Sequence, residues 1–119
     1  MPPRPPRPEP SNHIELGGEV ERVDPLRTTP AGIPVAAFLL AHRSRQTEAG
    51  LAREARLRIR VLAAGPLAEQ AARLAPGARV EVSGFLSRSS YRREDTHLAL
   101  HAQHIRIVED ETSHRKQED

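Results

Sequence analysis

The sequence predicts an all-β domain: a five-stranded barrel that carries one short helix. Three observations carry this. Most apolar residues recur with a period of two, the spacing of strands with one buried face. A single stretch has helical spacing, between a proline and a Pro-Gly stop. The helix falls after the third of five strand-like segments, an order that few small β folds share.

The elements follow in chain order. Ile14-Glu15-Leu16-Gly17-Gly18-Glu19-Val20-Glu21-Arg22-Val23 reads as a first strand, with the glycine pair suiting a sharp bend. Pro25 and Thr29-Pro30-Ala31-Gly32 make a turn, and Ile33 to His42 is the second strand. Its centre, Val35 to Ala41, is apolar at odd and even positions alike, as expected of a strand covered on both sides. Ala55-Arg56-Leu57-Arg58-Ile59-Arg60-Val61 alternates apolar with Arg and is the third strand, with Leu57, Ile59 and Val61 expected inward. Pro66 opens the helix, Leu67, Ala71 and Leu74 share its apolar side, and Pro76-Gly77 ends it. Ala78 to Leu86 is the fourth strand, with Val80, Val82 and Leu86 on one face. His97 to Val108 is the fifth. Its core parity switches between Leu98, Leu100, Ala102 and Ile105, Ile107, so a bulge near Gln103 is expected. Strand, strand, strand, helix, strand, strand is the order of an OB barrel.

The 119 residues suffice for one domain, placed at residues 13–108. Residues 1–12 hold six prolines and no large apolar residue after Met1, so they read as a disordered leader. Their Pro and Arg content also suits an SH3-type ligand, but no role is assigned to them. The polar residues 109–119 should fray. The chain has no Cys, which excludes a disulfide framework and thiolate chemistry. With no apolar run of membrane length and no signal-like segment after Met1, a soluble cytoplasmic protein is expected.

Charge gives the functional lead. Seventeen of the eighteen basic residues are Arg, the side chain suited to forked phosphate contacts and to stacking. Arg43, Arg45, Arg53, Arg56, Arg58 and Arg60 face only Glu48 and Glu54 in their segment. Two connections look like loops, Ser44 to Glu54 and Ser87 to Asp95, and the second adds Arg88, Tyr91, Arg92 and Arg93. Such loops flank the groove of an oligonucleotide-binding OB fold, and basic residues around a ring suit single strands. No phosphate-loop, dinucleotide or nucleophile motif is present, and an enzyme is not expected. His97, His101 and His104 are close in sequence but lack a carboxylate that would complete a metal set. No cofactor is expected. An alternating Arg strand can also be a plain solvated face, which Glu54, Glu81, Glu94 and Asp95 would neutralise.

At these residues a family resemblance enters. Pro25-Leu26-Arg27, Thr29-Pro30-Ala31-Gly32-Ile33-Pro34, Phe38, His42-Arg43-Ser44, Gln46 and Glu48-Ala49-Gly50 resemble the primosomal replication protein N (PriB) family. Gly77 to Leu86 is similar to the fourth strand of single-stranded DNA-binding proteins generally, and Leu98 to Ile105 to the PriB ending. The resemblance spans residues 12–108. It implies a homodimer of OB folds that binds single-stranded DNA, assists the PriA helicase and hands over to DnaT in the replication-restart primosome. It also implies a DNA surface on Arg27, Arg43, the Arg53 to Arg58 region and the Ser87 to His97 loop. With the charge pattern, the expected ssDNA-binding residues are Arg27, Arg43, Arg45, Arg53, Arg56, Arg58, Arg88, Tyr91, Arg92, Arg93 and His97. Relatives often place aromatic rings where this chain has Leu51 and Arg56, so binding should lean on charge more than stacking. Two alternatives remain open: a protein-interaction adaptor with incidental nucleic-acid contact, and a general single-strand-coating protein. The second usually ends in an acidic-aromatic tip, whereas this sequence ends His114-Arg115-Lys116-Gln117-Glu118-Asp119.

Overall fold

A computed structural model describes residues 2–4, 6–88 and 97–108. Its elements are β1 (Ile14–Val23), β2 (Arg27–Thr28), β3 (Pro34–Glu48), β4 (Leu51–Ala64), α1 (Pro66–Ala72), β5 (Arg79–Arg88) and β6 (Leu98–Ile107). The five long strands pair in the order β1-β5-β6-β4-β3, and β3 pairs again with β1, which closes a barrel. All ladders are antiparallel except β4–β6. This is the OB topology, and α1 lies between the third and fourth long strands as expected. The short β2 adds two rungs to β3, Arg27 opposite Val35 and Thr28 opposite Pro34.

Closure depends on two places where strands come unusually close. β1 leaves β5 and joins β3 around Glu19, and a Cβ on Gly18 would collide with the carbonyl of Ala41. The glycine pair is therefore the bend read from the sequence, and its cause is a missing side chain. On the far side, the β5–β6 register jumps from Ser83 opposite His104 to Gly84 opposite Ala102. Gln103 is thus the bulged residue, and a Cβ on Gly84 would strike the carbonyl of His101. The bulge returns Ile105 to the core after Leu100. Leu98 and Ile107 have core-facing parity but sit at the two ends of β6 and stay exposed, contrary to expectation.

The core is aliphatic around one ring. Phe38, Leu40, Leu100, Val20, Val61, Val80 and Val82 are fully buried, and Ala68, Ala71 and Leu74 bring α1 against them. Burial of each large side chain is worth about 1.5–3 kcal/mol. Among the described residues, the side chain of Asn12 bonds the main chain of Leu86 in both directions, at 2.8 and 3.0 Å. It thereby adds one rung to the β1–β5 ladder. No helix among the described residues is long and apolar enough to cross a membrane.

Three expectations need correction. Residues 44–54 are not a loop: β3 and β4 continue paired to Glu48 opposite Leu51, with Ala49 and Gly50 as a two-residue turn. Both turn residues have positive φ, 53° and 78°, as a twisted hairpin requires. Second, Leu57 belongs to this extension rather than to the core and is 42 % exposed. Of the three expected inward residues only Val61 is fully buried, with Ile59 half-buried. Third, β3 is covered on its outer side only in part. Ala36, Phe38 and Leu40 face the core, while on the outer side Ala37 is buried but Val35, Leu39 and Ala41 are only half-buried.

Candidate nucleic-acid interface

Register decides which side chains share a surface, because residues directly opposite on neighbouring strands project to the same side. Arg43 is opposite Arg56, Arg45 opposite Glu54, Ala41 opposite Arg58 and Leu39 opposite Arg60. Side chains alternate along each strand, so Arg43, Arg45, Arg56, Arg58 and Arg60 all emerge on the outer face. Arg27, opposite Val35 of the same parity, extends that face beyond Arg60. Arg53 does not join them. It is opposite Gln46 on the reverse side of the ribbon and pairs with Glu48 at 2.6 Å.

Beyond Ala41 on β3 and before Arg60 on β4, these strands have only each other as partners among the described residues. The ribbon is held to the barrel at its base by His42. Its Nδ1 lies 2.6 Å from the carbonyl oxygen of Gly17, and its Nε2 lies 2.7 Å from Ser44 Oγ. A carbonyl can only accept, so Nδ1 donates to Gly17, and Nε2 shares a hydrogen bond with the Ser44 hydroxyl. Gln46 Nε2 in turn donates to Ser44 Oγ at 2.8 Å.

Most of the outer arginines have carboxylate partners. Glu54 Oε1 lies 2.6 Å from Arg43 Nε and 3.8 Å from Arg56 Nε, so one acid is shared between two facing cations. Arg58 pairs with Glu21 at 3.3 Å and Arg60 with Asp24 at 3.4 Å. These are open pairs, with the Arg58 side chain 70 % exposed, and such pairs contribute only about 0–1 kcal/mol. They order the guanidinium groups without neutralising the face. Arg27 and Arg45 have no ion pair among the described residues.

The second expected wall is only partly described. Tyr91, Arg92 and Arg93 lie outside the described residues. Arg88, at the end of β5, is opposite Leu98 and has the parity of Leu86, so it does not project with the arginines of the outer face. His97 is exposed just before β6.

One feature of this face escaped the sequence reading. Phe85, opposite His101, lies on the outer side, and the two rings stack with centroids 5.0 Å apart and planes 5° from parallel. The signal was present in the parity of the fourth strand: Val80, Val82 and Leu86 inward put Phe85 outward.

The arrangement is an exposed sheet face with clustered guanidiniums and a stacked ring pair, carried on an OB barrel. Residues 12–104 match the model described as another single-strand binding protein family. The replication restart protein PriB of Photorhabdus laumondii is 40 % identical over 100 residues, covering 83 % of this chain and 95 % of the relative. The protein of the same name from Nitrosomonas europaea is 32 % identical over 108 residues, covering 87 % and 98 %. The chain belongs to the PriB family. Among solved structures, PriB of Ralstonia solanacearum superposes with a TM-score of 0.74 at 29 % identity, covering 84 % of this chain and all of that one. Wild-type single-stranded DNA binding protein of Thermus aquaticus gives 0.69 at 25 % identity, covering 86 % of this chain and 52 % of that one. PriB membership and the wider single-strand-binding likeness thus agree with the fold built strand by strand above.

Proposed function

We propose that this chain is a single-stranded-DNA-binding accessory protein of the replication-restart primosome. The observation that carries the reading is the alignment of Arg27, Arg43, Arg45, Arg56, Arg58 and Arg60 on one sheet face. Directly opposed like charges, such as Arg43 and Arg56, destabilise a sheet, and a bound polyanion relieves that repulsion. Phosphates exchange with the exposed carboxylates, release counterions and leave the guanidinium planes free to lie against bases. Arg88, Tyr91, Arg92, Arg93 and His97 are assigned to the second wall on sequence grounds, and Arg53 to the reverse of the ribbon. The names of the relatives support the place in replication restart. By the same family argument, the chain acts as a homodimer that assists PriA and hands over to DnaT.

Fluorescence anisotropy with labelled oligo-dT tests the DNA reading. Three to six neutralised phosphates give a slope of about −2 to −4 for log affinity against log salt. The double change Arg56→Ala with Arg58→Ala should lower affinity roughly tenfold at low salt and flatten the slope by about 1 to 1.5. A slope near zero for the unaltered protein sinks the mechanism. The carboxylates beside the arginines favour a competing reading, an adaptor whose charges serve a protein partner. A helicase pull-down that survives in the double variant after DNA binding is lost would support that adaptor.

A further inference from the structure

The outer face does not end with the arginines. Below Arg60 it opens into a groove of about 730 Å³, within the ~300–1,000 Å³ usual for ligand sites. Ala37, Leu62, His101 and Phe85 contribute its apolar and aromatic lining, and Arg27 and Arg60 its cationic side, with Asp24 between strands. We propose that Phe85 and His101 form a base-stacking platform, on which one nucleobase of the single strand lies while Arg27 and Arg60 hold the flanking phosphates. This deepens the DNA-binding reading above and rests on it.

Three features favour a base over another occupant. First, the two rings are already parallel, and Phe85 keeps 36 % of its surface exposed, so a flat partner can extend an existing stack. Second, the Nε2 of His101 is buried without a hydrogen-bond partner among the described residues, so that nitrogen does not hold the ring in place. That arrangement is costly for packing alone. Third, Arg27 is unpaired among the described residues and Arg60 reaches Asp24 only at 3.4 Å, so the site offers positive charge to an anion. An apolar protein segment would use the floor but waste both guanidiniums. The platform also supplies the aromatic stacking that the ribbon lacks, where Leu51 and Arg56 stand in place of rings.

The chain contains no Trp, so Phe85→Trp installs a single reporter in the full-length protein. Oligo-dT should quench its emission by half or more, with anisotropy showing binding at least as tight as for the unaltered protein. Phe85→Leu keeps an apolar side chain but removes the ring, and should weaken oligo-dT about 5- to 50-fold. Because no phosphate contact is lost, its salt slope should stay unchanged, unlike that of the arginine variants. Trp emission that is indifferent to DNA that anisotropy shows to be bound overturns the platform, as does Phe85→Leu binding with full affinity. Emission that depends on protein concentration without DNA, with Phe85→Leu sedimenting as a smaller species, would assign the groove to a second copy and likewise overturn it. Failure of the unaltered protein to bind oligo-dT at all would instead remove the DNA reading, and the platform with it.

Discussion

The same two strands lead two lives along their length. In the barrel half, β3 from Val35 to Ala41 and β4 from Arg60 to Leu62 have neighbours on both edges, and these strands put Ala36, Phe38, Leu40, Val61 and Ala63 into the core. In the ribbon half, His42 to Glu48 and Leu51 to Leu57 have no core beneath them, and Leu51 is 69 % exposed. Burial holds the first half. Backbone pairing, a tight turn, the His42–Ser44 link and open ion pairs hold the second. Most of the core burial and most of the proposed arginine face thus lie on different segments of one hairpin, so substitutions should separate stability from DNA binding.

The largest effect is expected in the barrel half. Leu40→Ala removes a fully buried side chain and should cost about 2–5 kcal/mol, read from thermal or urea unfolding. Leu40 points away from the outer face, so oligo-dT affinity well below the melting temperature should stay within about twofold. A parallel loss of affinity in the folded protein would show that the two halves are energetically one.

An intermediate effect is expected at the shared acid. Glu54→Gln removes a negative charge lying 2.6 Å from Arg43 and 3.8 Å from Arg56. A polyanion then meets less repulsion and no competitor, so oligo-dT should bind about 2- to 5-fold tighter at low salt, with the gain shrinking as salt rises. Thermal stability should fall by less than about 1 kcal/mol, since two facing cations lose an exposed partner. Unchanged affinity across salt would mean that DNA does not use the Arg43–Arg56 pair.

These contrasts also mark what could be read from the sequence. Where one face meets the core, burial imposes a period: β1, β5 and the Gln103 bulge were legible from a period of two, and α1 from helical spacing. Ser44-Arg45-Gln46-Thr47-Glu48 meets no core, carries no apolar residue and so leaves no period, although it is strand. The arginines were legible as residues, but not their partners. Glu21 and Asp24 reach Arg58 and Arg60 from another segment, and only the closed barrel brings them together. Arg53 lay one position from its assigned side: odd numbers on β3 share the outer face with even numbers on β4, a relation fixed by the Ala49-Gly50 turn. Phe85 was placed by parity yet passed over, because its stacking partner His101 lies on another strand.

The smallest effect tests whether the ribbon is a separate unit. Ala49 holds φ of 53°, a left-handed conformation that costs a residue with a Cβ, and Gly50 follows at 78°. Asn tolerates this region and precedes Gly in the favoured two-residue turns, so Ala49→Asn should stabilise the hairpin by about 0.5–1 kcal/mol. If the ribbon opens without unfolding the barrel, the gain stays local. Amide exchange at residues 45–53 should slow about 2- to 5-fold, while exchange of core amides such as those of Val61 and Val82 does not change. A melting temperature raised by the full amount, with core exchange slowed equally, would show the ribbon opening only with the barrel. The arginine face would then be a rigid extension of the core, and DNA would meet guanidiniums already fixed in place.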